Sequence, residues 1–321
     1  MDLLNHLLIG FENAVTWTNL LYCFVGVTLG TLVGVLPGMG PVATVAMLLP
    51  ITYALDPSTA LIMLAGIYYG AQYGGSTTAI LVNIPGEASA VVTCLDGHRL
   101  ALAGRAGAAL GIAAIGSFIA GCFATVVIAA FAEPLTQVAF QFGPREYFSL
   151  MVLGLVGAVV LASGSLLKAV GMILIGILLG CVGMDVNSGA LRYVFGIDEL
   201  MDGFDFVALS MGVYGFAEII RNLDVLGDRE AKPVPVGRVL PSKNDLKISA
   251  GPIARGTLIG SFLGILPGGG ALLSSFASYT LEKKLAGEKA NPPFGHGNIR
   301  GVAGPESANN AGAQTSFIPM L

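Results

Sequence analysis

Charge is what this sequence has least of. Only 11% of its 321 residues are Asp, Glu, Lys or Arg, against roughly 25% in an ordinary soluble domain. A soluble fold with so few could not cover its surface with polar groups, and 54% of the chain is hydrophobic. With a mean hydropathy of +0.78, lipid must be the solvent of much of that surface. Trp17 is the single tryptophan, and the net charge of −4 is small and dispersed, which argues against a nucleic-acid partner. Cys23, Cys94, Cys122 and Cys181 form no CxxC pair, and His6, His98 and His296 are equally scattered. Reduced, packed thiols follow, with neither a disulfide frame nor a metal cluster. The first fifteen residues hold no Lys or Arg and no small-residue cleavage site. They read as a short interfacial segment, not a cleaved signal peptide.

Long apolar stretches are abundant. They fall near 15–36, 41–55, 57–73, 76–92, 106–131, 146–163, 167–184, 204–220, 250–266, 269–281 and 300–321. The expected fold is all-α and polytopic, with about 8–10 membrane segments, each full crossing needing about 20 residues. The stretches 41–55, 76–92 and 269–281 are short or broken and read as half-helices or re-entrant segments. Such breaks are tolerated at membrane depth only where protein or a water-filled cavity covers the freed backbone. Arg221–Lys247 is polar, Pro-rich and basic, so it reads as an extended cytoplasmic linker. A second basic loop spans Glu282–Arg300, and a smaller one holds His98, Arg99 and Arg105. The expected organisation is a first transmembrane repeat with connecting helices over 1–220, the linker over 221–247, and the start of a second repeat over 248–321.

The repeat is the strongest internal signal. Residues 26–40 read GVTLGTLVGVLPGMG and residues 256–270 read GTLIGSFLGILPGGG. Gly26, Gly30, Gly34, Leu36, Pro37, Gly38 and Gly40 match Gly256, Gly260, Gly264, Leu266, Pro267, Gly268 and Gly270 without a gap. A weaker echo pairs Gly70-Ala71-Gln72 with Gly312-Ala313-Gln314. Glycines at every fourth position lie on one helix face and let another helix approach closely. Leu-Pro-Gly then breaks the helix. Pro37 and Pro267, with Pro85-Gly86 further on, are the expected breaks. Two breaks at matching places in two repeats are the best sequence pointer to a transport site. The first copy follows a segment without basic residues and the second follows the most basic loop, so the repeats read as inverted.

Few Lys or Arg lie within the apolar segments, so an anionic guest would rely on free N–H groups at a broken helix end. Gly38-Met39-Gly40 and Gly268-Gly269-Gly270 offer such amides; taken singly, each could equally be a mere turn. Ser76, Thr77 and Thr78 could donate to a carboxylate, or bond back to their own helix. Asn83 could hold Na⁺. Glu87 at membrane depth is expensive to keep without a purpose, and it is the candidate ion-coupling group together with Glu306. Asn309 and Asn310 join the substrate-binding candidates, although Pro305-Glu306-Ser307 could instead be an ordinary helix start. Glu133, Asp185, Asp198 and Glu199 read as loop or interfacial charges, and Gly143-Pro144-Arg145-Glu146 as a helix start.

GTLVGVLPGMGPVATVAMLLP, YYGAQYGGSTTAILVNIPGEASAVVTCLDGH, GPREYFSL, GILPGGGA and GVAGPESANNAGAQ together resemble the large membrane subunit of tripartite tricarboxylate transporters, the TctA family, over essentially the whole chain. The resemblance implies a multi-pass bacterial inner-membrane symporter subunit. It would work with a small membrane subunit and a periplasmic solute-binding protein, and carry tricarboxylates or other organic acids on a Na⁺ or H⁺ gradient. It implies no cofactor beyond a coupling Na⁺ and no ATP-binding motif. Family members run further, and the second copy lacks a counterpart of Ile84-Pro85-Gly86. The chain is therefore expected to be truncated at its C-terminus, which keeps a non-transporting component or assembly partner as the alternative. An intramembrane enzyme using Glu87, His98 or Glu306 as acid or base is the weaker one, since no nucleophile–base pair or metal-ligand spacing supports it.

Overall fold

A computed structural model describes residues 2–36, 39–139, 143–161, 166–185, 188–204, 236–265, 270–287 and 290–316, with residues 209, 212, 213 and 220 between them. Pro37, Gly38, Leu266, Pro267, Gly268 and Gly269 lie outside the described residues, as does most of the 221–247 linker.

The described chain is almost entirely helical. Helices α1 (Asp2–Ala14) and α2 (Trp17–Gly34) lead into the first break. Helix α3 (Pro41–Leu48) restarts the chain with Gly40 as its N-cap and proline at its first position, where no N–H is missed. It ends in a 3₁₀ turn, Leu49–Thr52. Helix α4 (Pro57–Val82) also begins on proline and is stopped by Asn83, which takes the left-handed φ of 61°. Short turns over 88–105 follow. Helices α5 (Ala106–Ala139), α6 (Pro144–Leu161) and α7 (Leu166–Gly180) precede a two-stranded hairpin, Gly183–Met184 with Leu191–Arg192. In the second part, α8 (Lys243–Leu263) starts on a capping box of Ser242 and Asp245. Helices α9 (Gly270–Ala286) and α10 (Arg300–Thr315) complete the set.

Among the described residues, two helices are long and apolar enough to cross a membrane, Trp17–Gly34 and Ala101–Phe131, and Pro41–Thr52 and Leu166–Gly180 are shorter apolar helices. Phe24, Phe118, Phe262 and Leu167 stand exposed on outer faces. The least hydrophobic helix, α10, is the most enclosed: from Gly301 to Thr315 only Gln314 is not buried. α5, α8 and α9 all pack on it. A polar helix inside and apolar faces outside reverse the soluble pattern.

The glycine triplets explain how the helices meet. A Cβ on Gly26, Gly30 or Gly34 would land on the carbonyl oxygen of Met63, Ile67 or Ala71 of α4. Gly256, Gly260 and Gly264 of α8 stand in the same relation to Gly304, Ala308 and Gly312 of α10. Each triplet lets two backbones touch.

Several expectations are corrected. The stretches 57–73 and 76–92 are not separate segments, because α4 runs unbroken through Gly74-Gly75-Ser76 to Val82. Residues 270–281 open the 17-residue helix α9, which runs on to Ala286, while residue 269 lies outside the described residues. Pro305-Glu306-Ser307 is no helix start: α10 begins at Arg300, so Glu306 sits in mid-helix. The region around His98 is not an open basic loop, since Asp96 and His98 are buried. The linker also ends before Lys247, because Lys243 already belongs to α8.

Candidate functional site

The polar residues of α4, the 83–93 turn and α10 converge. Glu306 is fully buried. Its Oε2 accepts a 2.7 Å hydrogen bond from Ser76 Oγ, and its Oε1 accepts from Thr93 Oγ1. One helical turn on, Asn309 Nδ2 donates to Glu87 Oε1 at 2.9 Å, and Asn309 Oδ1 accepts from Gln72 Nε2 at 2.9 Å. Ser89 Oγ donates to the same Glu87 oxygen at 2.6 Å. The i, i+3 spacing of Glu306 and Asn309 sets both on the face of α10 that meets α4. Gln72 and Ser76, at i, i+4, answer from α4. The chain reaches Glu87 because Asn83 ends α4, and Pro85-Gly86 folds back so tightly that Gly86 lies against Gly75.

The first helix break borders this cluster. A Cβ built on Gly40 would lie 3.7 Å from the Gly86 carbonyl oxygen and 3.8 Å from Glu87 Cβ. The N-cap residue of α3 therefore lies beside Glu87. Gly264 and Gly270, on either side of the second break, touch each other, and Gly264 also touches Gly312, one turn beyond Asn309. Asn310 donates to Ser117 Oγ at 2.7 Å and to the Glu306 carbonyl at 3.1 Å. It also lines a cavity of about 540 Å³ with Tyr69, Tyr73, Ser117 and Gln314.

The structure thus unites Ser76, Glu87, Glu306 and Asn309, with Gly40 and Gly86 beside them and Asn310 next to them. Thr77 does not join: its hydroxyl bonds back to Tyr73 O. Thr78 ties α4 to Val35 O at the end of α2. The N–H of Met39 is held by Leu36 O, so it is no free donor. Among the described residues, no hydrogen bond joins Asn83 to the cluster. Gln72, Ser89 and Thr93 are contributors that sequence reasoning missed; only Gln72 carried a signal, in the Gly-Ala-Gln echo.

Charge is handled differently near the basic loops. Asp96 Oδ1 accepts from the N–H groups of Gly295, Gly297 and Asn298 at 2.7–2.9 Å, and Tyr279 Oη donates to its Oδ2. Arg255 holds Glu282 with two bonds of 2.6 and 2.9 Å. Arg105 Nη2 lies 2.5 Å from Asp245 Oδ1. Burial raises the Asp245 carboxyl, but hydrogen bonds from Ser242 and Arg105 outweigh it and hold the group below the usual carboxylate range. This pair borders a polar cavity of about 520 Å³ with Asn291, Asn298 and Arg300.

Comparison with known proteins adds lineage. The family described as "Tripartite tricarboxylate transporter TctA family" matches residues 20–321. An "Uncharacterized 52.8 kDa protein in TAR-I ttuC' 3'region" of Agrobacterium vitis is 59% identical over 321 residues, 100% of this chain and 64% of that protein. An "Uncharacterized protein in TAR-II ttuC' 3'region" of the same organism is 69% identical over 62 residues, 19% of this chain and 25% of that protein. The chain thus spans 64% of the length of the relative that it matches end to end. No solved structure matches it.

Proposed function

The chain belongs to the tripartite tricarboxylate transporter TctA family, and on that premise we propose that it is the translocating part of a symporter for small organic carboxylates such as tricarboxylates. It sits in the bacterial inner membrane as a multi-pass protein, beside a small membrane subunit, and receives substrate from a periplasmic solute-binding protein. Its two glycine-lined units are inverted repeats of one design.

One observation carries the reading. Ser76 and Thr93 from the first unit meet Glu306 from the second, and Glu87 meets Asn309 one turn on, in two adjoining hydrogen-bond clusters at a helix break. Among the described residues these two carboxylates face neither a cation nor a set of backbone N–H groups, and such groups are costly to keep in lipid without a purpose. A transporter has one: the clusters link two units that must move relative to each other. In this reading the first-turn amides of α3 at Gly40 receive a substrate carboxylate, with Gly268-Gly269-Gly270 as the matching end. Glu87 and Glu306 bind the coupling ion.

The test is uptake of labelled tricarboxylates and dicarboxylates into vesicles carrying the full-length complex with its binding protein, under imposed ion gradients. Gradient-driven accumulation, lost in Glu306→Ala, is expected. Failure of every organic acid in the intact complex would sink the proposal.

A further inference from the structure

Away from the central clusters, the polar cavity of about 520 Å³ lies among the starts of three helices. Arg105 immediately precedes α5, Asn244 and Asp245 belong to the first turn of α8, and Arg300 opens α10. Asn291 and Asn298 close the cavity from the loop after α9. Each helix start brings the positive end of its dipole. Lys243 and Lys247 of α8, with Lys283 and Lys284 in the last turn of α9, make the surroundings basic.

The acids of this neighbourhood are already committed. Asp245 is held by Arg105 and Ser242, Glu282 by Arg255, and Asp96 by three backbone N–H groups and Tyr279. Arg300 differs from the other two arginines. It is half-buried, and among the described residues its guanidinium has no carboxylate or carbonyl partner. Only its backbone N–H is bonded, to Asn298 Oδ1 at 3.0 Å. The carboxamides of Asn244 and Asn291 likewise make no hydrogen bond among the described residues. A forked guanidinium with two uncommitted carboxamides beside it suits a phosphate group, whose oxygens accept several N–H donors at once.

The setting chooses the source of that phosphate. Leu246 and Leu285, the chain neighbours of Asp245 and Ala286 in the cavity wall, are apolar and exposed. Lysines at helix ends beside exposed apolar surface mark a headgroup boundary, where their stems lie along hydrocarbon and their charges reach water. Basic pockets between membrane helices on the cytoplasmic side take acidic headgroups. A soluble anion would gain nothing from the leucines.

We propose that this cavity binds the phosphate of an anionic phospholipid, with Arg300 as its anchor. Asn244 and Asn291 supply further donors, and the acyl chains run along Leu246 and Leu285. The lipid thereby joins the starts of α5, α8 and α10, and so braces the helix that carries Glu306 and Asn309. The site does not depend on the transport reading, and its test needs no uptake.

The test is binding of fluorescent phosphatidylglycerol to the purified full-length complex in detergent. Unlabelled phosphatidylglycerol, phosphatidylcholine, inorganic phosphate and citrate serve as competitors. Saturable binding that phosphatidylglycerol displaces, and the other three do not, is expected. Arg300→Gln should weaken it about tenfold, as for one charge-assisted contact. Asn244→Asp adds a negative charge to the cavity and should also weaken it, so this variant decides the question if Arg300→Gln does not fold. Lys247→Gln, on the same face but outside the cavity wall, should bind like wild type; a loss equal to that of Arg300→Gln would reveal a diffuse basic surface and overturn the site. Displacement by inorganic phosphate would keep the phosphate site and overturn the lipid as its source. Displacement by citrate would make the cavity a station for an organic acid and overturn the proposal. So would equal binding by wild type, Arg300→Gln and Asn244→Asp.

Discussion

Carboxylates in this protein live in two kinds of surroundings. Asp96, Asp245 and Glu282 are each held by a guanidinium or by a set of backbone N–H groups. Among the described residues, Glu87 and Glu306 receive only neutral hydroxyl and carboxamide donors. The first kind fixes charge and pins chain segments together. The second leaves charge exchangeable. A buried acid with a committed cation or a full set of backbone N–H donors is architecture, whereas one held only by side-chain hydroxyls and carboxamides can trade a proton or an ion.

The largest effect that would sharpen this contrast comes from the scaffold both kinds share. Gly260→Val drives a side chain into the backbone of α10 at Ala308. It should cost about 3 kcal/mol or more, read as loss of a folded peak in detergent chromatography. A Gly260→Val protein as stable as wild type would mean that α8 and α10 do not touch as described. Next, Asp96→Ala leaves three N–H groups and the Tyr279 hydroxyl without their acceptor. A loss of about 2–4 kcal/mol is expected, seen as a lower melting temperature, with the pH response of uptake unchanged. If uptake altered its pH profile, Asp96 would belong with the exchangeable acids.

Glu282→Gln weakens the hold on Arg255, whose side chain is 40% exposed. Solvent screening reduces the loss to about 1–2 kcal/mol, again in thermal unfolding. The Asp245 carboxyl is held below its usual range, so its contribution is complete above the ordinary carboxylate pKa of about 4. That contribution disappears as pH falls through the lower folded value. Asp245→Asn should therefore flatten the acid limb of the stability curve and leave its neutral part lower. The smallest effect belongs to Thr77→Val. Its hydroxyl only returns to Tyr73 O, so stability should stay within about 0.5 kcal/mol. Substrate uptake should not move; a large loss would restore Thr77 to the binding candidates.

Parts of the site were legible because chemistry and rarity mark them. Glu87 and Glu306 stand out in apolar surroundings, Asn309 lies beside Glu306 in sequence, and Ser76 belongs to a conspicuous hydroxyl run in an apolar helix. Thr93 and Ser89 carry no such mark. They matter only because the 83–93 turn folds back on α4, and no periodicity announces that. Thr77 fails for a local reason, since helix geometry turns its hydroxyl to its own backbone. The course of α4 was misjudged where Gly74-Gly75 imitates a break, because packing against α2 and Gly86 keeps that glycine pair helical.

By itself the sequence determined the helical class, the spacing of the glycine triplets and the places where Pro and Gly interrupt the helices, because each depends on residues close along the chain. Only the tertiary structure decided that the polar segment around Glu306 runs through the middle of the protein, where Asn309 meets Glu87 across 222 positions. That meeting depends on two helix pairs, each drawn into backbone contact by its own glycines, then packing on one shared partner. No local pattern encodes such an arrangement.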